Sequence, residues 1–437
     1  MSDAPRATRF AVRPADWLHV DEAIDRILGS ATPSATQSVS TLEALGRALA
    51  APVTASATLP PWDNSAMDGY AVRGEDIRGA SARTPVALRV TTVLRAGSDS
   101  GRTIEVGTAA RIMTGAPIPE GADTVVRVED TDAENEAGMV RIFDDRDSGR
   151  HVRPAGQDMR AGDTLFNVGH SVTHGTLGVL TAAGVTEVDV HAVPLVAVLP
   201  TGDELREPER YADVREGVGV PESNGRMLCA MATSIGARAL HLGIAPDETD
   251  ALEAKIAAGA EADALITIGG ASMGEADLVK RALDRMGFTL DFWRVKMRPG
   301  SPVSFGWLQT DHRRQAVFGL PGNPSSAFVT FEVFVRPFLL RLAGHRRVLR
   351  RVITCRAGDR FDTPADLTYF QRVTLRREGS ETIARLTGPQ TSGLVRGLAS
   401  ADGLAIVPPE ATEIAPGEAV EVMLLDTGPA SEERSPR

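Results

Sequence analysis

Between about residues 191 and 345 the chain alternates short apolar runs with amphipathic ones, and no other feature restricts its fold as much. PLVAVLP, ARALHLGIA, DALITIGG and TLDFWRVKM read as strands. SNGRMLCAMATSIGA, DETDALEAKIAAGAEA and EADLVKRALDRMG read as the helices between them. Ser223 is the candidate N-cap of the first of these helices, and Gly236 lies just past its end. Strands that are apolar throughout need cover on both faces, so this rhythm predicts a mostly parallel sheet layered with helices. In such sheets ligands bind beyond the carboxyl ends of the strands, and the loops there are the first places to search for chemistry.

The flanking sequence has a different grain. Residues 14–50 predict two helices, PADWLHVDEAIDRILGS and TLEALGRALA. Residues 51–190 are rich in short β-branched runs between Gly, Pro and Asp, forming one or two β-rich units, with THGTLGVLTAAGV as a helix ending at Gly184. Five further runs over residues 346–425 fit a small barrel or a sandwich, and the polar tail at 426–437 is expected to be disordered. A chain of 437 residues, 42% of them hydrophobic, has room for two to four domains with true cores. Its net charge of -11 argues against a nucleic-acid partner, although a local arginine cluster can still bind an anion.

Lysine occurs only at positions 255, 280 and 296, so arginine carries most of the positive charge. The two cysteines, Cys229 and Cys355, give no disulfide framework and fit a reducing compartment. The N-terminus has no apolar signal core, and AFVTFEVFVRPFLLRLAG is broken by Glu332, Arg336 and Pro337. A cytoplasmic protein without a membrane span is expected.

Six stretches are candidates for chemistry. In TIGGASMGEAD a strand runs into Gly269 and Gly270, then Ser272, then a helix. That pattern suits a phosphate or oxyanion, or else a plain strand-to-helix turn capped by Ser272. Asp277 would hold a metal or complement the helix dipole. In PTGDEL, Asp203 and Glu204 are hard oxygen ligands suited to magnesium, or a helix N-cap. In RVKMRPGSP, Arg294, Lys296 and Arg298 alternate as on one face of a strand, which makes a row for a polyanion or a charged guard on an edge. GLPGNPSSA places Asn323 as a cap and Pro324 at the first turn of a helix, with Pro321 stiffening the loop. RIMTGAPIPEG puts Thr114 in a turn. PPWDNSAMDGYAVR, at residues 60–73, reads locally as a surface turn, with Asp63 and Asp68 five apart and Gly69 free to adopt left-handed dihedrals. No Ser–His–Asp arrangement and no zinc spacing is readable.

Taken in order, DNSAMDGYA, RIMTGAPIPEGADTVV, TGDEL, GGASMGEAD, RPGSP and GLPGNPSSA resemble the signatures of the molybdopterin molybdenumtransferase family, bacterial MoeA and the gephyrin E domain. The similarity runs from about residue 14 to residue 425. It implies an elongated homodimer of four parts. A linking domain takes residues 1–50 and 156–190, a β-rich domain 51–155, a molybdopterin-binding α/β domain 191–345 and a C-terminal β-barrel 346–425. In the family the DNSAMDGYA motif of one subunit is thought to face the α/β domain of the other.

The reaction implied is insertion of molybdenum from molybdate into adenylylated molybdopterin, with release of AMP and assistance from magnesium. By motif position Asp63 is then an essential carboxylate and Thr114 a site residue. Glu204 and Asp277 handle metal or phosphate, and Asp247 matches a further family aspartate. Pro321 and Pro324 shape the loop beside the pterin, and Arg294, Lys296 and Arg298 lie in the anion site. The upstream adenylyltransferase and recipient molybdoenzymes are implied as protein partners.

Two positions depart from the family pattern: Arg298 stands where lysine is frequent, and Ser301 where a second basic residue is frequent. Arg298 still offers a bidentate oxyanion contact, whereas Ser301 removes a charge. A cofactor-binding scaffold without turnover, or an adenylyltransferase built on the same kind of parallel sheet, would share part of the pattern. The retained carboxylates oppose the first, and the additional β-rich parts oppose the second.

Overall fold

The computed structural model describes residues 17–97, 101–269, 278–310, 313–364 and 366–425. Helix α1 (Val20–Ser30) turns its apolar stripe of Val20, Ala23 and Ile27 inward. The second expected helix does not form. Residues 41–46 are successive turns, Gly46 sits at φ +80, and Ala48 and Leu49 bridge to Ser171 and Val190. Ala44 and Leu49 are drawn into a small core with Leu180, Val188 and Val190, so packing overrides the local helix signal.

Strand β1 (Thr36–Ser40) follows α1. The β-rich region contributes β2 (Asn64–Ser65), β3 (Gly69–Val72), β4 (Val86–Leu94), β5 (Thr108–Ile112), β6 (Thr124–Arg127), β7 (Met139–Ile142) and β8 (Val152–Arg153). Five of these form one sheet in the order β6-β3-β5-β4-β7, while β2 pairs with β8 as a separate ribbon. Both faces of the sheet are covered: Tyr70, Val72 and Val126 enter one core, and Ala71, Ile112 and Val125 another. The chain returns through α2 (His174–Ala182) to β9 (Glu187–His191), which pairs antiparallel with β1 from Thr36↔His191 to Ser40↔Glu187.

The α/β unit then runs β10 (Leu195–Pro200), α3 (Asn224–Ser234), β11 (Arg238–His241), α4 (Thr249–Ala258), β12 (Ala264–Ile268), α5 (Leu278–Arg285) and β13 (Thr289–Trp293). After β14 (Met297–Arg298) come β15 (Ser304–Gln309) and β16 (Arg314–Leu320). The sheet order is β11-β10-β12-β16-β15-β13. Its first four strands pair in parallel, and β15 alone runs the other way, antiparallel to both β16 and β13. Every residue of β12 is buried, as a central strand covered on both faces requires. Helices α4 and α5 pack on one face with Leu252, Ile256, Val279 and Leu283. On the other lie α1, α3 and a long helical segment made of α6 (Pro324–Thr330), a π turn Phe331–Val335 and α7 (Arg336–Leu342).

TLDFWRVKM is not one strand. β13 stops at Trp293, and Arg294 adopts φ +77 with its guanidinium 4.4 Å from the Trp293 ring and 5.0 Å from Trp17. Val295 then bridges Leu18. β14 leaves the α/β sheet altogether and pairs in parallel with the C-terminal unit, Met297↔Thr368 and Arg298↔Tyr369. The expected row of three cations on one strand face is therefore broken by the change of sheet.

The C-terminal unit contains β17 (Val352–Ala357), β18 (Thr368–Glu378), β19 (Glu381–Leu386), β20 (Gly403–Val407) and β21 (Ala419–Leu424). They close in the order β18-β19-β17-β21-β20 and back to β18, so barrel rather than sandwich is the outcome. No helix among the described residues is long and apolar enough to cross a membrane.

The barrel is tied to the long helical segment by a buried ion pair. Glu332 accepts from Arg350 Nε at 2.9 Å and from its terminal nitrogen at 3.2 Å, and the two side chains are only 5% and 9% exposed. Removing one member of such a pair leaves a buried charge uncompensated. Glu332→Ala is expected to lower unfolding free energy by about 3–5 kcal/mol, measured by chemical denaturation.

Candidate active site

The strands β10, β12 and β16 end side by side at Pro200, Ile268 and Leu320, and a cavity of about 730 Å³ opens there. Three of the sequence motifs meet in its wall: Thr201 and Glu204 from TGDEL, Gly269 after β12, and Pro321, Gly322, Asn323 and Pro324 before α6. The start of α3 supplies Ser223 and Asn224, and the barrel supplies Gly393 and Val395. Gly269 is required by a close approach: at φ +99, a Cβ there would lie 2.9 Å from the Thr201 carbonyl. Gly202, at φ +139, leaves room for the Glu204 carboxylate, which a Cβ would meet at 2.5 Å.

TGDEL is not a helix cap. The chain turns at Asp203 and Glu204 and enters a short strand, Leu205–Arg206. Asp203 Oδ1 accepts from the Asp247 N–H at 3.1 Å, so the aspartate loop is held against this turn. Asn323 and Ser223 occupy N-cap positions without capping through their side chains. Asn323 instead donates to Ser392 Oγ at 3.2 Å, and Asn224 donates to the Gly322 carbonyl at 2.6 Å, fastening the loop from two sides.

Gly270, Ser272 and Asp277 lie outside the described residues. Arg294, Lys296 and Arg298 lie outside the lining of this cavity, and among the described residues its wall carries no lysine or arginine. Lys296 Nζ is 3.4 Å from His19 Nε2. Arg298 is exposed, four residues before Pro302, which does line the cavity. Ser301 Oγ donates to the Met297 carbonyl, so this hydroxyl is occupied in shaping the turn.

Asp63 and Thr114 are elsewhere, in the β-rich unit, but they belong to one construction. Asp68 Oδ1 accepts from the Thr114 N–H at 2.7 Å and from its hydroxyl at 2.8 Å. The Thr114 amide first, then the hydroxyl, hold the Asp68 carboxyl below its ordinary value. Asp63 Oδ1 accepts from the Ala155 N–H at 2.7 Å. Gly69 is not in a left-handed turn; it sits in β3, where a Cβ would stand 1.9 Å from the Val126 carbonyl oxygen. Close strand approach, not turn geometry, explains this glycine.

Two features escaped sequence reasoning. Glu222, only 4% exposed in the cavity wall, accepts from the Gly225 N–H at 2.6 Å and lies 3.2 Å from His241 Nε2. Arg372, 1% exposed, donates to Ser325 Oγ at 2.7 Å and to the Pro389 carbonyl at 2.8 Å, behind the Pro321–Pro324 loop. Burial lowers its pKa, and among the described residues no carboxylate pairs with it. Neither position is singled out by a motif in the sequence. Burial first, then Glu222, pushes the Cys229 thiol up to about 11, which disfavours its thiolate.

No three metal-ligating side chains gather among the described residues. Glu204 offers one exposed carboxylate to the cavity. Magnesium typically takes one or two carboxylates, several waters and substrate phosphates, so this donor fits that mode and not an all-protein cage.

A layered α/β unit with a cavity at its strand ends, flanked by a β-rich unit and a barrel, defines a multidomain α/β class. Comparison with known families agrees region by region. MoeA N-terminal region (domain I and II) matches residues 18–184, a probable molybdopterin binding domain 197–341, and MoeA C-terminal region (domain IV) 354–425. Molybdopterin molybdenumtransferase 2 of Mycobacterium tuberculosis is 36% identical over 386 residues, covering 87% of this chain and 93% of the relative. The molybdopterin molybdenumtransferase of Bacillus subtilis is 34% identical over 413 residues, covering 93% and 94%. A crystal structure of the molybdopterin biosynthesis moeA protein from Pyrococcus horikoshii OT3 shares the fold with a TM-score of 0.80 at 24% identity, over 94% of this chain and all (100%) of the other. The chain belongs to the molybdopterin molybdenumtransferase family, enzymes of molybdenum cofactor biosynthesis.

The Glu222–His241 pair gives a test of the cavity wall. Burial would raise the Glu222 carboxyl, but hydrogen bonds from His241 and the Gly225 amide outweigh it and hold the carboxyl below its ordinary value. A depressed carboxyl stabilises the fold above its unfolded pKa and loses that contribution as pH falls through the folded value. Thermal melts of the parent protein should therefore weaken below about pH 4.3, and Glu222→Gln should reduce that acid-side slope.

Proposed function

We propose that the protein transfers molybdenum from molybdate to adenylylated molybdopterin with release of AMP, acting as a cytoplasmic, magnesium-assisted homodimer. The observation that carries this reading is the convergence of TGDEL, the glycine following β12 and GLPGNP on one cavity at the sheet's carboxyl edge. A cavity at the carboxyl ends of parallel strands is where this class of sheet takes its ligand, which supports the reading.

The cavity's wall contains no residue of the unit that carries Asp63 and Thr114. For Asp63 to act on a ligand there, the DNSAMDGYA loop has to come from a second copy, which is why the reading includes a homodimer. In it, Glu204 and Asp277 would hold magnesium, which would neutralise charge at the phosphates. Asp63, fixed through the Ala155 amide, presents a carboxylate to the reacting end of the substrate. Pro321 and Pro324 stiffen the floor, and Asp247 steadies the Glu204 turn through Asp203.

The experiment is incubation of purified protein with adenylylated molybdopterin, molybdate and magnesium. The readouts are AMP and reconstitution of a molybdenum-free recipient enzyme. Turnover is expected with wild type, with a loss of about 100-fold or more in kcat for Asp63→Asn or Glu204→Gln, the scale of removing a positioned group from a transition state. Tight cofactor binding without AMP release would instead indicate a scaffold. Formation of the adenylylated compound from ATP would place the protein one step earlier.

A further inference from the structure

Asp147 belongs to none of the motifs and has no part in the reaction as read so far. It is nonetheless 2% exposed, in a unit whose apolar cores are already complete without it. Buried carboxylates are costly unless each oxygen is met, and here each oxygen is met by a different arm.

Oδ2 accepts from the Arg127 N–H at 3.2 Å and from Arg127 Nε at 3.3 Å. Arg127 stands in register opposite Gly69, and the next residue's N–H, Val128, donates to the Asp68 carbonyl at 3.2 Å. Arg127 is itself steadied by Asp130 at 2.6 Å. Oδ1 lies 3.1 Å from His151 Nε2. His151 adopts φ +61, a conformation that a non-glycine residue keeps only where its surroundings impose it. In that conformation its carbonyl accepts from the Ala66 N–H at 2.8 Å, and the following Val152 and Arg153 pair with Ser65 and Asn64. Two residues further on, Ala155 supplies the amide that fixes Asp63.

We propose that Asp147 is a positioning residue that braces both ends of the DNSAMDG loop, the Asn64–Ala66 end through His151 and the Asp68–Gly69 end through Arg127. The proposal rests on Asp63 acting as assigned above. Burial would raise the Asp147 carboxyl, yet the Arg127 amide, His151 and the Arg127 charge together hold it below its ordinary value. That direction matches a carboxylate kept ionised to hold its two donors.

The test compares full-length wild type, Asp63→Asn, Asp147→Asn and the double variant. Asp147→Asn is expected to lower kcat about 100-fold, as a displaced reacting group does, with KM for both substrates within about twofold. Because its effect passes through Asp63, the double variant should be no slower than Asp63→Asn alone, whereas a general loss of folded protein would multiply the two losses. Amide hydrogen exchange supplies a readout independent of turnover: the Ala66 and Val128 amides should exchange at least about tenfold faster in folded Asp147→Asn. His151→Asn, which tolerates φ above zero but removes the imidazole arm, should accelerate Ala66 and leave Val128 unchanged. Multiplying losses, or unchanged exchange at Ala66, would overturn the brace. Inactive wild type would overturn the functional reading, while the exchange result would still decide the brace.

Discussion

The cavity depends on the burial of β10 and β12 on both faces. Strands such as LVAVLP and ALITI have no polar side to show to water, so helices must cover both surfaces and each chain crossing must return over the sheet. The parallel strands then end along one edge, and every β-to-α connection there is brought to the same place. TGDEL, the glycine after β12 and GLPGNP are far apart in sequence and meet because those three strands are neighbours. The chemistry is thus placed by hydrophobic burial before any polar contact is made.

This dependence explains what was legible in the sequence. The α/β rhythm and the five barrel strands could be read because each rests on a local period, and the turns because Gly and Pro have a fixed conformational meaning. TLEALGRALA misled because its leucines and alanines satisfy a helix as well as a docked turn, and only the contacts of Ala44 and Leu49 with Val188 and Val190 decide between them. RVKMRPGSP misled for another reason. Its alternation is real, but β14 abandons one sheet for another, and no local pattern records a change of partner. Arg372 and Glu222 stayed hidden because a charge looks the same in sequence whether it is solvated or enclosed. Gly69 was assigned the wrong freedom, since a glycine demanded by a close carbonyl and one demanded by a positive φ are the same letter.

The β-rich unit follows a different logic from the α/β unit. Its motif loop is short, exposed and polar, with no hydrophobic anchor of its own at Asp63 or Asp68. It is held by main-chain pairing of β2 with β8 and by carboxylates that accept amide protons: Asp63 from Ala155, Asp68 from Thr114. Hydrogen bonds to an ionised carboxylate are the stronger kind, which suits a loop that has to keep its shape while facing solvent. In DNSAMDGYA, Asn64 and Ser65 are buried in the pairing with β8, whereas Asp63 and Asp68 stay exposed.

β14 is only two residues long, yet it is stitched into the barrel while the residues on either side of it serve the α/β unit. Pro302, four residues past its end, enters the cavity wall, and Gly393 and Val395 reach the same wall from the barrel itself. The aperture is thus a seam between two bodies. Its rim is set by how the barrel meets the sheet's carboxyl edge, and by neither body alone.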